Sequence, residues 1–368
     1  MVVPADDQPA GPAVGRAARV SAPAGAPPEV HTVADDWAVV YRGARARLYE
    51  GLEPDADHDL DGVGVRTLPR PPGALVATIA TVNDVHFGET ECGRVTGRED
   101  IGPVLSVAPG ERPYPELMSA AAVTEMAGAD PDLVVAKGDL TSVGAPGEHR
   151  AFEAVYRPAF GDRLVTTRGN HDHPAAGPCF DAEPVAFRRL DGVLVAVLDT
   201  SRAGEVGGRI DGAQIECLDE AAARADRPVL VFGHHPVASP DLVALTGEGS
   251  GLDRASTDAL VALVARRPTV AGYLAGHTHR NRVRRFEAAG AVPFAEVAST
   301  KDFPGSWAEY RVHEGGVVAL HHRIGAPEAL EWSERCRAMF FGLYAGWALG
   351  SVPDRCFVAT WPKGCPQG

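Results

Sequence analysis

The amino-acid sequence predicts an α/β protein with a mainly parallel sheet and helices on the faces of that sheet. Three observations lead to this fold class. From Ala74, strand-like runs alternate with helical ones in the order ALVATIATV, PELMSAAAVTEMAG, DLVVAKG, GEHRAFEAVYRPAF and RLVTTRG. Short polar motifs follow the strand-like runs, as expected where ligands gather beyond the carboxyl ends of parallel strands. The hydrophobic share of 45% and the charged share of 23% are those of an ordinary folded protein.

The first 30 residues differ from the rest of the chain in composition. They are rich in Pro, Ala and Gly and show no periodicity, so they cannot bury enough apolar surface to offset the entropy lost on ordering. We expect residues 1–30 to form a disordered tail. They lack the apolar core of a secretory signal, and no run in the chain approaches the roughly 20 apolar residues that span a bilayer. We therefore expect a cytoplasmic protein with no membrane span and with reduced cysteines.

Residues 31–70 contain short alternating runs, such as WAVVYRG and VGVRTLP, separated by turn residues. This pattern predicts a short β-rich appendage of two to four strands. The segment LYEGLEPDADHDLDGVGVRTLP resembles the end of a fibronectin type III domain, with His58 where that family usually has a tyrosine. The alternative is a hairpin that packs on the edge of the main domain.

The second half of the chain repeats the layering of the first. A hairpin is predicted to turn at Asp191 and Gly192, and a helix near 212–225 and the strand PVLVFG follow it. A helix near 253–266 then precedes TVAGYLAG, and four further runs read as consecutive antiparallel strands. The pattern extends to about residue 325, so we expect residues 71–325 to form one catalytic domain.

Residues 326–368 contain apolar side chains at roughly helical spacing and predict an amphipathic helix followed by a tail. These apolar residues are Leu330, Trp332, Cys336, Met339, Phe340, Leu343 and Trp347. We expect the helix to dock on the domain. A homodimer interface and a membrane-surface role are the alternatives for the same apolar stripe.

Five short motifs, each of which follows an apolar strand, carry the candidate chemistry. They are Asp84-Val85-His86, Gly138-Asp139, Gly169-Asn170-His171-Asp172, Gly233-His234-His235-Pro236 and Gly276-His277-Thr278-His279. Residues two apart on an extended chain point the same way, so Asp84 and His86 are expected to reach one ion. The same argument applies to His277 and His279.

The candidate ligands are imidazoles, carboxylates and one amide oxygen, with no thiolate. This set suits Mn, Fe, Zn or Co in a catalytic site rather than a structural zinc site. Two divalent ions roughly 3.5 to 4 Å apart need a bridging carboxylate, and Asp139 is the natural bridge. A hydroxide that bridges the two ions would supply a nucleophile at neutral pH.

The five motifs in this order resemble the calcineurin-like metallophosphoesterase superfamily over residues from about 74 to 325. The resemblance implies a four-layer αββα sandwich of two mixed sheets flanked by helices, and a two-metal centre. It implies that one metal is bound by Asp84, His86, Asp139 and His279, and that the other is bound by Asp139, Asn170, His234 and His277.

The same resemblance implies that His171 is not a metal ligand and faces the scissile phosphate, where it stabilises the transition state or protonates the leaving oxygen. Asp172 is expected to orient its imidazole. His173 and His235 adjoin the motifs, and we expect supporting or structural roles for them. Purple acid phosphatases have a tyrosine three residues after the bridging aspartate, and this chain has Ser142 there. The chain therefore resembles more closely the cyclic nucleotide and glycerophosphodiester phosphodiesterase branch.

Four cations lie beside the motifs: Lys137, Arg168, Arg280 and Lys301. Each either binds a substrate phosphate or is solvated at the surface. The net charge of −14 disfavours nucleic acid as a partner and agrees with a small phosphoester substrate. We expect hydrolysis of a phosphodiester, with a 3',5'-cyclic nucleotide as one candidate. The alternatives are a phosphomonoesterase, then a nuclease, then a metal-free scaffold.

Overall fold

Two six-stranded mixed sheets lie face to face at the centre of the protein. The computed structural model describes residues 26–95, 100–240 and 249–361. Of the predicted disordered tail, residues 1–25 lie outside the described part of the chain.

The first sheet, here called sheet I, has the strand order β17-β16-β15-β6-β7-β8. Strands β6, β7 and β8 are parallel, and β15, β16 and β17 continue the sheet in antiparallel pairs. The strand bounds in sheet I are β6 Leu75–Val82, β7 Leu133–Lys137, β8 Leu164–Thr167, β15 Ser306–His313, β16 Gly316–Arg323 and β17 Phe357–Thr360.

The second sheet, sheet II, has the order β13-β14-β12-β11-β10-β9. Strands β10, β11, β12 and β14 are parallel, whereas β9 and β13 are antiparallel edge strands. The strand bounds in sheet II are β9 Val185–Leu190, β10 Val193–Leu198, β11 Val229–Phe232, β12 Val270–Ala275, β13 Arg282–Arg284 and β14 Phe294–Glu296.

Helices cover the outer face of each sheet. Sheet I is covered by α1 Tyr114–Gly128, α2 Pro146–Phe160 and α5 Pro327–Cys336. Sheet II is covered by α3 Gly212–Arg224 and α4 Arg254–Arg266, whose first turns are capped by the carboxylates of Asp211 and Asp253. The order helix, sheet, sheet, helix confirms the predicted αββα sandwich.

The alternation of side chains along the central strands explains this layering. In β6, Ala77 and Ile79 face sheet II, while Ala80 and Val82 face the helices. Because both faces of the central strands are buried, these strands read as continuous apolar runs in the sequence.

The N-terminal segment forms a small antiparallel sheet and a separate hairpin. Strands β1 Glu29–Val33, β2 Trp37–Arg42 and β3 Arg45–Glu50 form the sheet, and β4 Asp57–Leu60 pairs with β5 Val63–Arg66 in the hairpin. Ala34, which follows β1, packs on Val318 and Leu320 of β16. The N-terminal sheet thus covers part of the outer face of sheet I. The segment with the fibronectin resemblance contains the end of β3 and the two-stranded hairpin.

The C-terminal segment is more broken than the predicted single helix and tail. After α5, a 3-10 turn at Met339–Gly342 leads to α6 Leu343–Leu349, α7 Val352–Arg355 and then β17, which joins sheet I. Phe340 and Phe341 have φ angles of 48° and 55°, which end the helical path between α5 and α6.

Most of the predicted apolar stripe docks on the domain, because Leu330, Trp332, Cys336 and Met339 are buried. Leu343 is the exception within the stripe, with 78% of its surface exposed, and the neighbouring Phe341 is 75% exposed. None of the described helices is both long enough and apolar enough to cross a membrane. The homodimer interface and the division of the chain at residues 30, 70 and 325 stay predictions.

Candidate functional site

The predicted ligands lie in loops at the carboxyl ends of parallel strands from both sheets. Asp84 and His86 follow β6, and Asp139 follows β7 in sheet I, whereas His277 and His279 follow β12 in sheet II. Asn170 follows β8 and His234 follows β11. The two sheets thus contribute to one site at a shared edge.

The side chains of the predicted ligands converge. Among the described residues, four overlapping groups have three ligand atoms within 4.8 Å of one another. These groups are Asp84 with His86 and His279, His86 with Asp139 and His171, Asp84 with Asp139 and His234, and His234 with His235 and His277. The Oδ1 atom of Asn170 lies 3.3 Å from Nε2 of His234. All seven predicted ligands therefore lie in one cluster, in which Asp84, His86, Asp139 and His234 each belong to two groups.

The backbone at five of the seven ligands has a positive φ angle, between 49° and 70°: Asp84, His86, Asp139, His277 and His279. The extended-chain reason given for pairing Asp84 with His86 is therefore wrong, since both residues are left-handed. This conformation is uncommon outside glycine and costs of the order of 1–3 kcal/mol per residue. Strain of this kind is typical of functional sites, where the surrounding structure fixes the conformation.

Glycines beside the ligands allow the loops to approach one another closely. A Cβ added to Gly138 would lie 2.6 Å from Nδ1 of His234, and one added to Gly276 would lie 2.9 Å from Oδ2 of Asp84. Gly169 has no room for a Cβ either, because the Oδ1 atom of Asp139 occupies that space. The glycine in each of these motifs is thus required by packing around the ligands.

The residues around Asp84 and His86 fit a metal ion. Oδ1 of Asp84 and both ring nitrogens of His86 are buried and have no hydrogen-bond partner among the described residues. Buried polar atoms of this kind are costly unless another group engages them. Because the unpaired atoms are imidazole nitrogens and a carboxylate oxygen, the group that suits them is a divalent transition metal.

Hydrogen bonds behind the ligands turn their free atoms toward the cluster. Nδ1 of His234 donates to the carbonyl oxygen of Lys137 at 2.8 Å, which leaves Nε2 facing Asp139 at 3.3 Å. Nδ1 of His279 lies 2.9 Å from Oδ2 of Asp302, which leaves Nε2 facing Asp84 at 3.4 Å. Partners of this type fix the tautomer and the orientation of a metal-binding imidazole.

The electrostatics of the cluster favour cations. Burial raises the pKa of Asp139, but His234 and His171 outweigh it, so the pKa lies well below its ordinary value. Burial likewise raises the pKa of Asp84, and His279 with other neighbours lowers it below the usual range. The two carboxylates are therefore ionised although both are buried. Burial lowers the pKa of His234, and Asp139 then raises it to about 9.

His171 lies beside the cluster, and the carbonyl of Ser142 orients its ring. Nδ1 of His171 donates to that oxygen at 2.5 Å, so Nε2 is the atom available to a substrate. The backbone N–H of His171 donates to Oδ1 of Asp139 at 2.9 Å. The residue is partly exposed, as required of a group that meets a substrate.

Asp172 does not orient His171, which corrects the sequence-based expectation. Its carboxylate is buried and accepts hydrogen bonds from the backbone N–H groups of Leu140, Thr141 and Gly169 at 2.8 to 3.0 Å, and from the Thr141 hydroxyl at 2.7 Å. Asp172 therefore holds the loop after β7 against the loop after β8. Its contribution to the site is the backbone geometry around Asp139 and Asn170.

Both ring nitrogens of His235 are engaged outside the cluster, by the Thr200 hydroxyl at 2.8 Å and the Val206 carbonyl at 3.1 Å. These contacts support a structural role, although one of its nitrogens lies near His234 and His277. Nδ1 of His173 contacts the Ser201 hydroxyl at 3.0 Å.

The four cations beside the motifs are neither surface-solvated nor unpaired. Lys137 is fully buried and donates to the Ala275 carbonyl at 2.8 Å, which links β7 to β12. Lys301 contacts Glu89 at 2.6 Å. The other two cations form ion pairs: Arg168 with Asp199 and Arg280 with Glu296. Surface solvation of these residues is therefore wrong, and the binding of a substrate phosphate by any of them stays a prediction.

Sequence reasoning missed Asp302, which contacts His279 from behind. It lies 23 positions further along, in the loop before β15, where no spacing rule connects it to the motif. The only signal available was the polar run Ser299-Thr300-Lys301-Asp302 after the apolar segment that contains β14.

The model of the calcineurin-like phosphoesterase family matches residues 77–281, which is more than half of the chain. The chain belongs to this family. A cAMP/cGMP dual specificity phosphodiesterase from Mycobacterium tuberculosis is 32% identical over 164 residues, which cover 41% of this chain and 50% of the relative. The glycerophosphodiester phosphodiesterase GpdQ from Enterobacter lignolyticus is 28% identical over 43% of this chain and 60% of the relative.

These relatives confirm the branch that the motifs indicate. The chain spans about half the length of the curated relatives it matches, 50% and 60% for the two given above. Among solved structures, a dimetal phosphatase from Danio rerio has a TM-score of 0.53 at 14% identity, covering 68% of this chain and 97% of that chain. This likeness agrees with the αββα fold.

Proposed function

We propose that the protein is a phosphodiesterase that uses two divalent transition-metal ions to hydrolyse a small phosphodiester, such as a 3',5'-cyclic nucleotide. The position of Asp139 carries the proposal, because its Oδ2 lies 3.6 Å from Nε2 of His86 and 3.3 Å from Nε2 of His234. A carboxylate placed in this way suits the bridge between two metals. The names of the relatives support a diester rather than a monoester substrate.

In this proposal the seven ligands divide between the two ions, and Asp139 is shared. One ion is held by Asp84, His86, Asp139 and His279, and the other by Asp139, Asn170, His234 and His277. The observed groups support this division, since Asp84, His86 and His279 converge on one side and His234 and His277 on the other. When bound, the ions would activate water as the nucleophile and neutralise phosphate charge.

The residues of the chain then have separate tasks. His171 presents Nε2 to the substrate, because its Nδ1 is committed to the Ser142 carbonyl. When protonated, it donates the Nε2 proton to the leaving oxygen as the phosphorus–oxygen ester bond breaks, and one water is consumed for each bond cleaved. Asp172 holds the loops that carry Asp139 and Asn170 against each other, because its carboxylate accepts hydrogen bonds from backbone N–H groups of both loops.

A substrate panel tests the proposal. The full chain is loaded with Mn²⁺, and turnover of cyclic AMP, bis(4-nitrophenyl) phosphate, 4-nitrophenyl phosphate and single-stranded DNA is compared. We expect the two diesters to have kcat/KM values at least about tenfold above that of the monoester, since a tenfold ratio corresponds to about 1.4 kcal/mol of discrimination. We expect no turnover of DNA, given the net charge of −14.

The Asp139→Asn variant is the matched control, because it keeps the size of the side chain and removes the shared charge. We expect this variant to lose nearly all activity toward every substrate in the panel, and activity that survives in the folded variant would contradict the role of Asp139. Equal or faster turnover of the monoester by the wild-type protein would contradict the diester assignment and favour a phosphomonoesterase.

A further inference from the structure

A buried hydrogen-bonded chain connects His279 to the C-terminal helix α6. Nδ1 of His279 lies 2.9 Å from Oδ2 of Asp302, and the hydroxyl of Tyr344 donates to Oδ1 of the same carboxylate at 2.7 Å. Asp302 and Tyr344 are both buried. Oδ2 of Asp302 also forms an ion pair with Nζ of Lys301 at 3.4 Å. Both oxygens of Asp302 are thus engaged, so the carboxylate cannot rotate without losing a bond.

Helix α6 also contacts the backbone on either side of His279. The indole Nε1–H of Trp347 donates to the Thr278 carbonyl at 3.2 Å. At the carboxyl end of α6, the backbone N–H of Asn281 donates to the Ala348 carbonyl at 3.0 Å, and its side-chain amide donates to the Leu349 carbonyl at 3.2 Å. The helix therefore holds both the ring and the backbone of the loop that carries His279.

The residues that make these contacts follow the part of the chain that the family model matches, which ends at residue 281. Only the loop from Thr278 to Asn281 lies within the matched region. Asp302 and α6 thus lie outside the matched region.

We infer that α6 is a positioning element of the metal centre: Tyr344, acting through Asp302, fixes the orientation of His279 so that its Nε2 faces Asp84. The inference rests on the proposed function, because it assumes that His279 binds one of the two ions. A carboxylate behind a metal-binding imidazole fixes the ring and raises its basicity. Tyr344 is a positioning residue, since it touches neither an ion nor a substrate.

Substitutions of Tyr344 and Asp302 should weaken metal binding to different degrees, and only at the site that contains His279. Tyr344→Phe keeps the ring in the core and removes only the bond to Asp302. The carboxylate stays beside His279 and Lys301 but loses the hydrogen bond that holds Oδ1. Asp302→Asn removes the charge that faces His279. Both changes act on the ion that His279 binds, whereas the ion held by Asn170, His234 and His277 has no contact with this chain of bonds.

The experiment measures metal affinity rather than activity. Full-length wild-type protein and variants are stripped of metal and titrated with Mn²⁺, and free Mn²⁺ is followed by electron paramagnetic resonance. For Tyr344→Phe we expect about 10- to 100-fold weaker binding at one site and unchanged binding at the other, the size of effect typical of such supporting residues. Asp302→Asn should weaken the same site further. Trp347→Phe should weaken it less, since it removes the bond to Thr278 and leaves an aromatic ring beside Arg280.

Tyr156→Phe is the matched control, because Tyr156 is buried in the same apolar core but lies on α2. It should bind Mn²⁺ as the wild type does. Unchanged Mn²⁺ binding in both Tyr344→Phe and Asp302→Asn would overturn the inference, and so would equal weakening of both sites. A wild-type protein that binds no Mn²⁺ would instead refute the proposed function, so the two failures are distinguishable.

Discussion

The carboxylate of Asp84 accepts a hydrogen bond from the backbone N–H of His277 at 2.9 Å, although the two residues are 193 positions apart. Asp84 follows a strand of sheet I and His277 follows a strand of sheet II. A proposed metal ligand thus also ties the loops of the two sheets together. Hydrogen bonds between the loops therefore hold the site in place. Asp84 has two roles, as a metal ligand and as a hydrogen-bond acceptor, and different substitutions can remove them separately.

Replacement of Asp84 tests that separation. Asp84→Asn keeps an oxygen that can accept the His277 N–H, whereas Asp84→Ala leaves this N–H without its partner. We expect both variants to lose metal from one site, and the alanine variant to be less stable than the asparagine variant by about 1–3 kcal/mol. Urea unfolding of the metal-free proteins measures the difference. Equal stabilities would show that the bond across the sheets contributes nothing.

His171 is predicted to act on the substrate and not on the metals. In His171→Ala we expect kcat to fall by about 10²–10⁴-fold, the usual contribution of a positioned acid or base, while metal content stays at the wild-type level. Steady-state kinetics and metal analysis on the same preparation provide both values. A large loss of metal in this variant would mean that His171 is a ligand.

Replacement of Asp172 is predicted to lower the stability of the fold rather than to act directly on catalysis. Its carboxylate accepts three backbone N–H bonds and one hydroxyl bond, and all four donors are left without their partner in Asp172→Ala. We expect the free energy of unfolding to fall by about 2–4 kcal/mol, since a hydrogen bond to a charged group contributes about 1.5–3 kcal/mol. Activity lost without any loss of stability would restore a direct role for Asp172 in catalysis.

The sequence was sufficient to predict where the ligands meet. Motifs after parallel strands of one sheet must lie at the same edge, so Asp84, Asp139 and Asn170 could be grouped without coordinates. The backbone conformation was not predictable, because a hydrophobic pattern does not report the sign of φ. The role of Asp172 was misjudged for a related reason. Adjacency in a motif suggested a contact with His171, but the turn directs this carboxylate toward Leu140 and Thr141.

The break in the C-terminal helical segment could not be predicted from the spacing of apolar residues. Phe340 and Phe341 are compatible with a helix, yet the segment near Gly102 packs so closely that a Cβ there would lie 2.8 Å from the backbone nitrogen of Phe340. Such a tertiary contact overrides local preference. The hydrogen bond between Tyr344 and Asp302 could not be predicted from the sequence either, since the two residues are 42 positions apart and follow no spacing rule.

His31 in the N-terminal sheet is expected to make the stability of the fold sensitive to acid. His31 is fully buried, faces Glu29, Arg323 and Arg355, and burial lowers its pKa from 6.5 to about 3. Between these values the unfolded chain binds a proton that the folded chain excludes, so stability is present above pH 6.5 and is lost as pH falls toward 3. From pH 7 to pH 5 the loss from this group is about 2 kcal/mol.

His31→Gln provides the comparison, because glutamine can donate to Glu29 but does not titrate. The free energy of unfolding, measured by urea at pH 7 and pH 5, should fall less in this variant than in the wild type. Parallel pH dependences for the two proteins would show that His31 is not the source of the acid sensitivity.

Metal content is the most direct test of the assignment of the seven residues as metal ligands. Purified wild-type protein and Asp139→Ala are analysed by inductively coupled plasma mass spectrometry, with circular dichroism to compare their folds. We predict about two transition-metal equivalents per chain in the wild type, as a two-metal site requires, and loss of metal and of nearly all phosphodiesterase activity in the folded variant. A folded Asp139→Ala protein that stays active while containing little metal would contradict the shared position of Asp139 between two ions.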